Sequence, residues 1–241
     1  MNQLVHSRHD GAAGVITMDD GKVNVLSVAM FEALNAALDR AEADLSVVVI
    51  TGRAGVLSAG FDLAVFKRDK AALVAMLTAG AKLTERLLSH PAPVIVACNG
   101  HAVAMGVFLL LAADYRVGIA GAAARICANE VQIGLTLPRF ATEVCRARLH
   151  PCAFNRAAVL AEAFSPEDAV VAGFLDILVP AEQLMQIALQ KAEAFARLDR
   201  ASHTATKLRA REQSLRSLRT AIAADIDDWN SRLAGASLAQ P

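Results

Sequence analysis

The sequence has no excess of charge of either sign. Its 241 residues carry 24 Lys and Arg against 24 Asp and Glu, which gives a formal net charge of zero. Proteins that follow the phosphates of nucleic acid depend on clustered Lys and Arg. We therefore expect no nucleic-acid partner. The composition still leaves room for a local basic patch that holds a small phosphorylated ligand.

Cysteine and histidine are few and lack the spacings of metal sites. The four cysteines contain no C-x-x-C pair, and the six histidines contain no H-E-x-x-H pattern. Such spacings are typical of zinc sites, whereas isolated cysteines in apolar surroundings are typical of buried, reduced thiols. We expect no metal site and a reducing compartment.

Long apolar runs are also missing. The longest, residues 102–113, is about half of the ~20 residues that span a bilayer. Met1 to Asp10 is polar and charged, unlike the apolar core of a signal peptide. We expect a soluble, cytoplasmic protein without membrane contact. With 55% hydrophobic residues and only 5% aromatic ones, the chain also hints at a surface buried against another subunit.

Buried strands, glycine turns and helices alternate along the chain. Val47–Thr51 and Val94–Ala97 are apolar, strand-like runs, and Ser27 can cap a helix running to about Ala43. This alternation predicts an α/β fold. From residue 140 onward the pattern is mainly helical, and the predicted helices include residues 153–163 and 208–232. The basic run from Lys207 to Arg219 is otherwise expected to be an ordinary solvated helix face. We divide the chain into a core of residues 1–199 and a C-terminal helical region of residues 200–241, with a fraying tail.

Two glycine-containing turns follow buried strands and are candidates for chemistry. They are residues 56–63 and 99–106. Glycine lets backbone approach a ligand closely, and the first N–H groups of a helix favour negative charge. If the turns converge, they form an oxyanion hole; taken alone, they are equally consistent with two tight turns. Neither matches a P-loop or a dinucleotide-binding motif, and no serine has a G-x-S-x-G frame.

Five short motifs follow one another along the chain, at residues 24–27 (NVLS), 57–63 (LSAGFDL), 99–102 (NGHA, closed by Asp114), 129–135 (NEVQIGL) and 172–180 (AGFLDILVP). In this order they resemble the signatures of the crotonase (enoyl-CoA hydratase/isomerase) superfamily. The resemblance implies a crotonase-like fold of repeated ββα units whose C-terminal helical region forms a trimer. It also implies a homotrimer or hexamer, an acyl-CoA thioester as substrate, and no cofactor, because coenzyme A is part of the substrate.

The resemblance assigns roles to individual residues. The backbone N–H groups of Phe61 and Met105 correspond to the two oxyanion donors, which stabilise a thioester enolate. Seven residues are expected to contact the substrate: Val23, Val25, Ala59, Phe61, Leu63, Met105 and Phe108. The lysine that often follows the second motif is replaced by Ala64, and Lys67, Lys22 and Lys207 are candidate substitutes for contacts with coenzyme A phosphates.

The departures from the family pattern point to one reaction. Phe108 stands where hydratases carry the glutamate that helps hold water, so Glu130 remains of the usual glutamate pair. A single glutamate there is what monofunctional 3-enoyl-CoA to 2-enoyl-CoA isomerases use. We expect burial beside Val131, Ile133 and Phe108 to raise the Glu130 pKa towards neutrality. Alternatively, Glu130 is structural and pairs with a nearby arginine, Arg125 or Arg139.

The predicted function is therefore an enoyl-CoA hydratase/isomerase family enzyme of fatty-acid or related acyl-CoA metabolism, favouring double-bond isomerisation. One alternative is a non-catalytic acyl-CoA-binding member of the family. A serine-based thioesterase or protease is a weaker alternative, because no serine has a recognisable His and Asp partner. Asp62 is expected to fix its own turn, and His101 is expected to make a local bond rather than contact a ligand.

Overall fold

The computed structural model of the protein describes residues 3–65 and 69–237. Its largest sheet has six strands in the order β1-β2-β4-β7-β9-β11. Their bounds are β1 Val5–Asp10, β2 Ala13–Met18, β4 Val47–Thr51, β7 Val94–Cys98, β9 Tyr115–Ile119 and β11 Ile177–Val179. The first two strands pair antiparallel, and every later neighbour pairs parallel. Strands β4 and β7 are buried throughout, as their β-branched runs predict.

Two small sheets stand beside the large one and carry the turns of interest. One has the order β10-β8-β5, with β5 at Gly55–Ser58, β8 at Gly100–Val103 and β10 at Ile126–Cys127. The other pairs β3 (Val25–Leu26) with β6 (Gly60–Phe61). Parallel pairing of β5 with β8 aligns the two glycine turns side by side.

The helices cover both faces of the large sheet. Their bounds are α1 Val28–Ala43, α2 Lys70–Ser89, α3 Met105–Ala112, α4 Arg139–Arg148, α5 Pro151–Ala158, α6 Pro166–Ala172, α7 Leu184–Phe195, α8 Arg200–Ala210 and α9 Glu212–Ser237. Ser27 caps α1 as predicted, accepting from the N–H of Met30 at 3.2 Å. Helix α7 buries small side chains such as Ala188 and Ala192 against one face of the sheet, while α1 to α4 pack on the other.

The C-terminal helices share the main core. Leu215, Leu218 and Ile222 of α9 belong to the same hydrophobic cluster as α2 and α4. The single helix predicted over residues 208–232 is wrong, because the chain breaks at Arg211, between α8 and α9. Helix α5 also ends at Ala158, five residues before its predicted end, and Ala161 has a left-handed backbone with φ +51°.

A buried ion cluster joins the C-terminal helices to the sheet. The Asp114 carboxylate accepts from the Lys207 ammonium at 2.6 Å and from the N–H of Val94 at 2.7 Å, and it pairs with Arg211 at 2.8 Å. Burial lowers the pKa of Lys207. The expectation that residues 207–219 form an ordinary solvated basic face is therefore wrong at Lys207 and Arg211. In the parts of the chain that the structure describes, every helix is too short or too polar to cross a membrane.

Candidate active site

The two glycine turns are in direct contact. Gly60 has φ +94°, and a Cβ placed on it would lie 2.7 Å from the Cβ of Ala104 and 2.9 Å from the carbonyl oxygen of Val103. A Cβ on Gly106 would lie 2.7 Å from the carbonyl oxygen of Ser58. Larger side chains would push the two turns apart. The convergence that the sequence alone left open is therefore present.

Asn24 and Ser58 hold the first turn in place. The buried Asn24 amide donates to the carbonyl oxygens of Met18 at 3.0 Å and Leu57 at 3.1 Å. The Ser58 hydroxyl donates to the Asn24 carbonyl at 2.6 Å and accepts from the N–H of Gly60 at 3.0 Å. These bonds explain Asn24 of the first motif and Ser58 of the second, to which sequence reasoning gave no role. They fix the backbone immediately before Phe61.

The second turn opens directly into helix α3. Ala104 precedes the helix with φ +50° and ψ −124°, and its N–H donates to the Cys127 carbonyl at 2.9 Å. Met105 is the first helical residue, so its N–H lacks an acceptor within the helix. The strained conformation thus falls on Ala104, and the Met105 side chain is fully buried. This arrangement shows how a methionine replaces glycine at this turn.

A cavity of about 470 Å³ opens beside the turns. Ala59, Phe61, Ala104 and Glu130 are among the residues that line it. The other lining residues are mostly apolar. They are Leu63, Lys70, Leu73, Val74, Leu77, Asn129, Ile133, Leu135, Thr136, Pro138, Trp229 and Arg232. The structure therefore brings the first turn, the start of the second and the candidate acid/base to one space.

Four predicted substrate contacts lie outside this described lining. Val23 is half exposed, and its carbonyl accepts from the N–H of Ala59 at 3.0 Å. Val25 pairs with Gly60 in the β3–β6 ladder. The side chains of Met105 and Phe108 are fully buried. Phe108 packs edge-on against Phe140 with ring centroids 5.8 Å apart, and both belong to the main hydrophobic core.

Glu130 is a buried carboxylate with an unused oxygen. The residue is 6% exposed, and within residues 3–65 and 69–237 its Oε2 has no hydrogen-bond partner. Burial raises its pKa to about 7, in the direction that the sequence predicts, because low polarity disfavours the ionised form. Val131 and Ile133, expected to help bury it, are each 47% exposed, and Ile133 lines the same cavity as Glu130.

The structural alternative for Glu130 finds no support in the described residues. The Arg139 guanidinium instead binds Asp225 at 3.3 Å and Asp228 at 2.5 Å. Arg125 is exposed, and its backbone N–H donates to His101 Nδ1 at 3.0 Å. Within the described ranges, neither arginine forms an ion pair with Glu130. His101 makes the local bond that was expected of it.

The remaining candidates are Asp62 and the three lysines expected to contact coenzyme A phosphates. Asp62 accepts from the N–H of Ala64 at 3.0 Å and so fixes its turn, as predicted. Lys207 is wrong as a phosphate contact, because Asp114 binds its ammonium inside the core. Lys22 is exposed, and Lys67 lies outside the described residues.

The sequence reasoning missed Trp229 and Arg232, which line the cavity from α9, and the contributions of α2. A helical stripe says which face is buried, but not which partner it meets. Hence periodicity alone could not have placed these residues at the cavity.

The α/β fold and the paired turns define a crotonase-fold protein. A solved protein from Mycobacterium tuberculosis, called an enoyl-CoA isomerase in one structure and a probable enoyl-CoA hydratase in another, matches with a TM-score of 0.90 and 43% identity, over 95% of this chain and 99% of that chain. A solved enoyl-CoA hydratase from Mycobacterium marinum matches with a TM-score of 0.88 and 46% identity, over 95% and 98% of the two chains. The family model described as enoyl-CoA hydratase/isomerase matches residues 8–238. The chain belongs to the enoyl-CoA hydratase/isomerase family.

Curated relatives carry both activities in their names. The human mitochondrial enoyl-CoA delta isomerase 1 is 29% identical over 236 residues, which cover 95% of this chain and 78% of the human protein. The 2,3-dehydroadipyl-CoA hydratase of Escherichia coli is also 29% identical, over 90% of this chain and 82% of that protein. The choice between the two reactions therefore rests on the residues of the site.

Proposed function

We propose that this protein is an enoyl-CoA isomerase that moves a double bond with one carboxylate, Glu130. The observation that carries the proposal is Glu130 itself: it lines the same cavity as Phe61 and Ala104, and its buried Oε2 has no hydrogen-bond partner among the described residues. A phenylalanine buried in the core occupies the position where a hydratase holds its other glutamate. A second acid that would hold an attacking water is therefore missing at that position.

In this proposal the substrate is an acyl-CoA thioester, and no other cofactor takes part. The thioester oxygen accepts hydrogen bonds from the backbone N–H groups of Phe61 and Met105. Each such donor contributes ~3–4 kcal/mol to stabilising the charge that develops on the oxygen. The contact between Gly60 and the backbone around Ala104 supports this arrangement, because it brings the two donor residues to neighbouring positions.

Ionised Glu130 takes a proton from C2 of a 3-enoyl thioester. The electron pair left on C2 delocalises through the thioester, and the oxyanion donors stabilise the resulting dienolate. Protonated Glu130 then returns the proton to C4, which leaves the double bond between C2 and C3. One carboxylate serves both steps, and no water is added or lost. A pKa near 7 suits a group that must both accept and release a proton at neutral pH.

The remaining substrate contacts are also proposals. Ala59, Phe61 and Leu63 line the cavity beside Glu130, so they are placed to contact the acyl thioester. Val23 and Val25 contact the backbone of Ala59 and Gly60, whereas the side chains of Met105 and Phe108 are buried. Contact of these four residues with the substrate stays a prediction. We further propose a homotrimer or hexamer, a cytoplasmic location and a role in fatty-acid or related acyl-CoA metabolism.

A second candidate is a non-catalytic acyl-CoA-binding protein. The observation that favours it is the loss of the other glutamate at Phe108. The Glu130→Gln variant separates the two candidates. For an enzyme, turnover of 3-enoyl-CoA should fall by ~10²–10⁴-fold, while binding persists. The exposed Glu182 provides a matched control, because Glu182→Gln removes a glutamate that is not part of the cavity lining.

Binding can be followed without turnover. The protein has a single tryptophan, and Trp229 lines the cavity. Titration with an acyl-CoA should therefore change its fluorescence in wild type, Glu130→Gln and Glu182→Gln alike. If wild type binds acyl-CoA but turns over neither 3-enoyl-CoA nor 2-enoyl-CoA, the protein is the second candidate, a non-catalytic acyl-CoA-binding protein. If Glu130→Gln retains full activity, Glu130 is not the acid/base.

A further inference from the structure

Helix α9 carries a buried carboxylate that lies at the start of another helix. Asp225 is 3% exposed. Its Oδ1 accepts from the N–H of Arg139 at 3.1 Å, and its Oδ2 accepts from the N–H of Phe140 at 2.8 Å. Arg139 and Phe140 are the first two residues of α4. Asp225 thus binds two of the N–H groups that a helix leaves unsatisfied at its N-terminus.

Helix α4 has no cap of its own. The residue at its N-cap position is Pro138, which has an extended backbone and no side chain that accepts hydrogen bonds. A carboxylate supplied by α9 takes over this role, and its negative charge is favoured at a helix N-terminus. The start of α4 is therefore held to α9 rather than to its own sequence.

The two segments that Asp225 joins, the start of α4 and helix α9, both lead into the cavity wall. Leu135, Thr136 and Pro138 lead from Glu130 into α4, and all three line the cavity. Trp229 lies four residues after Asp225, on the same face of α9, and lines the cavity from the other side. Asp225 is therefore the point at which the segment carrying Glu130 meets the helix carrying Trp229.

We propose that Asp225 is a positioning residue, which fixes the Glu130 segment and the Trp229 wall relative to each other. Its effect on turnover rests on the proposed function, whereas its effect on Trp229 does not. Asp225 touches neither the cavity nor the reacting atoms; it acts through α4 and α9. The Phe140 ring also packs against Phe108 of α3, the helix that begins with Met105.

Asp225→Asn tests the proposal, and Asp228→Asn is its matched control. Asn removes the charge and one acceptor at α4. Asp228 binds the same Arg139 guanidinium but accepts from neither backbone N–H. We expect Asp225→Asn to lower kcat for 3-enoyl-CoA by ~10–100-fold, as small displacements of catalytic groups do. We also expect greater quenching of Trp229 fluorescence by acrylamide. Asp228→Asn should change both by less than about twofold.

A second variant separates positioning from stability. Adding Pro138→Asp to Asp225→Asn gives α4 a cap of its own without restoring the link to α9. Because Pro138 lines the cavity, Pro138→Asp alone is the control for the new side chain. The double variant should regain thermal stability but keep a kcat below that of Pro138→Asp and a more exposed Trp229. This comparison still decides the matter if Asp225→Asn alone fails to fold.

Three results would overturn the proposal. One is an unchanged kcat and Trp229 quenching in folded Asp225→Asn. Another is an equal loss in Asp228→Asn, and the third is full recovery of kcat in the double variant. If wild type shows no turnover, the proposed function fails instead. The response of Trp229 to acrylamide and to acyl-CoA then still tests the role of Asp225.

Discussion

Replacing Glu130 by glutamine should make the protein more stable at high pH. Burial raises the pKa of this carboxyl from 4.5 to about 7. Each pKa unit is worth about 1.4 kcal/mol, so ionised Glu130 lowers the free energy of unfolding by about 3 kcal/mol above pH 7. Below pH 4.5 both folded and unfolded states are protonated there, and the effect vanishes. The free energy of unfolding of wild type should therefore fall by about 3 kcal/mol through Glu130 as pH rises from 4.5 to 7.

The assay is thermal unfolding of wild type and Glu130→Gln at several pH values between 4 and 8.5. Glutamine resembles the neutral acid, so the two proteins should unfold at similar temperatures at pH 4. At pH 8 the variant should unfold about 6–12 °C higher, because 1 kcal/mol corresponds to about 2–4 °C in a chain of this size. Glu182→Gln should show no such pH dependence. A Glu130→Gln variant that is less stable at pH 8, or equally displaced at every pH, would refute the reasoning.

Three further predictions follow from other parts of the structure. The kcat/KM of isomerisation should fall about tenfold per pH unit below the Glu130 pKa of about 7 and level off above it, because the base must be ionised; a flat profile from pH 5 to 9 would contradict this role. Gly60→Ala should cost about 1–3 kcal/mol of stability and most activity, whereas Gly21→Ala, whose added Cβ meets nothing within 4 Å, should retain activity in the same assay. Asp114→Ala should lower the free energy of denaturant unfolding by about 3–5 kcal/mol, since it removes the carboxylate from buried Lys207 and part-buried Arg211. A loss under 1 kcal/mol would show that water reaches them.

Local signals in the sequence predicted much of the fold. Strands β4 and β7 were found because parallel strands buried on both faces are continuous β-branched or apolar runs. The Ser27 cap was found because a hydroxyl before an amphipathic run marks a helix start. The break at Arg211 was missed, since neither glycine nor proline marks it.

The candidate site was predictable where backbone geometry demands a residue type. Gly60 and Gly106 stand where the turns touch, and the motifs around them locate Phe61 and Met105. The wall contributed by α9 was not predictable, because Asp225 binds backbone N–H groups 85 and 86 positions away and Trp229 lines a cavity that it shares with Phe61. Such long-range contacts leave no periodic trace in the sequence. Lys207 was taken for a surface cation because its partner, Asp114, lies 93 residues away in the sequence.

The most direct test of the account is the product that wild type forms from 3-enoyl-CoA and 2-enoyl-CoA in ¹⁸O-labelled water. Mass spectrometry separates the two reactions, because hydration adds a labelled water and a double-bond shift leaves the mass unchanged. We predict interconversion of the two enoyl-CoA isomers without ¹⁸O, lost in Glu130→Gln. Rapid formation of labelled 3-hydroxyacyl-CoA by wild type would contradict the single-carboxylate mechanism.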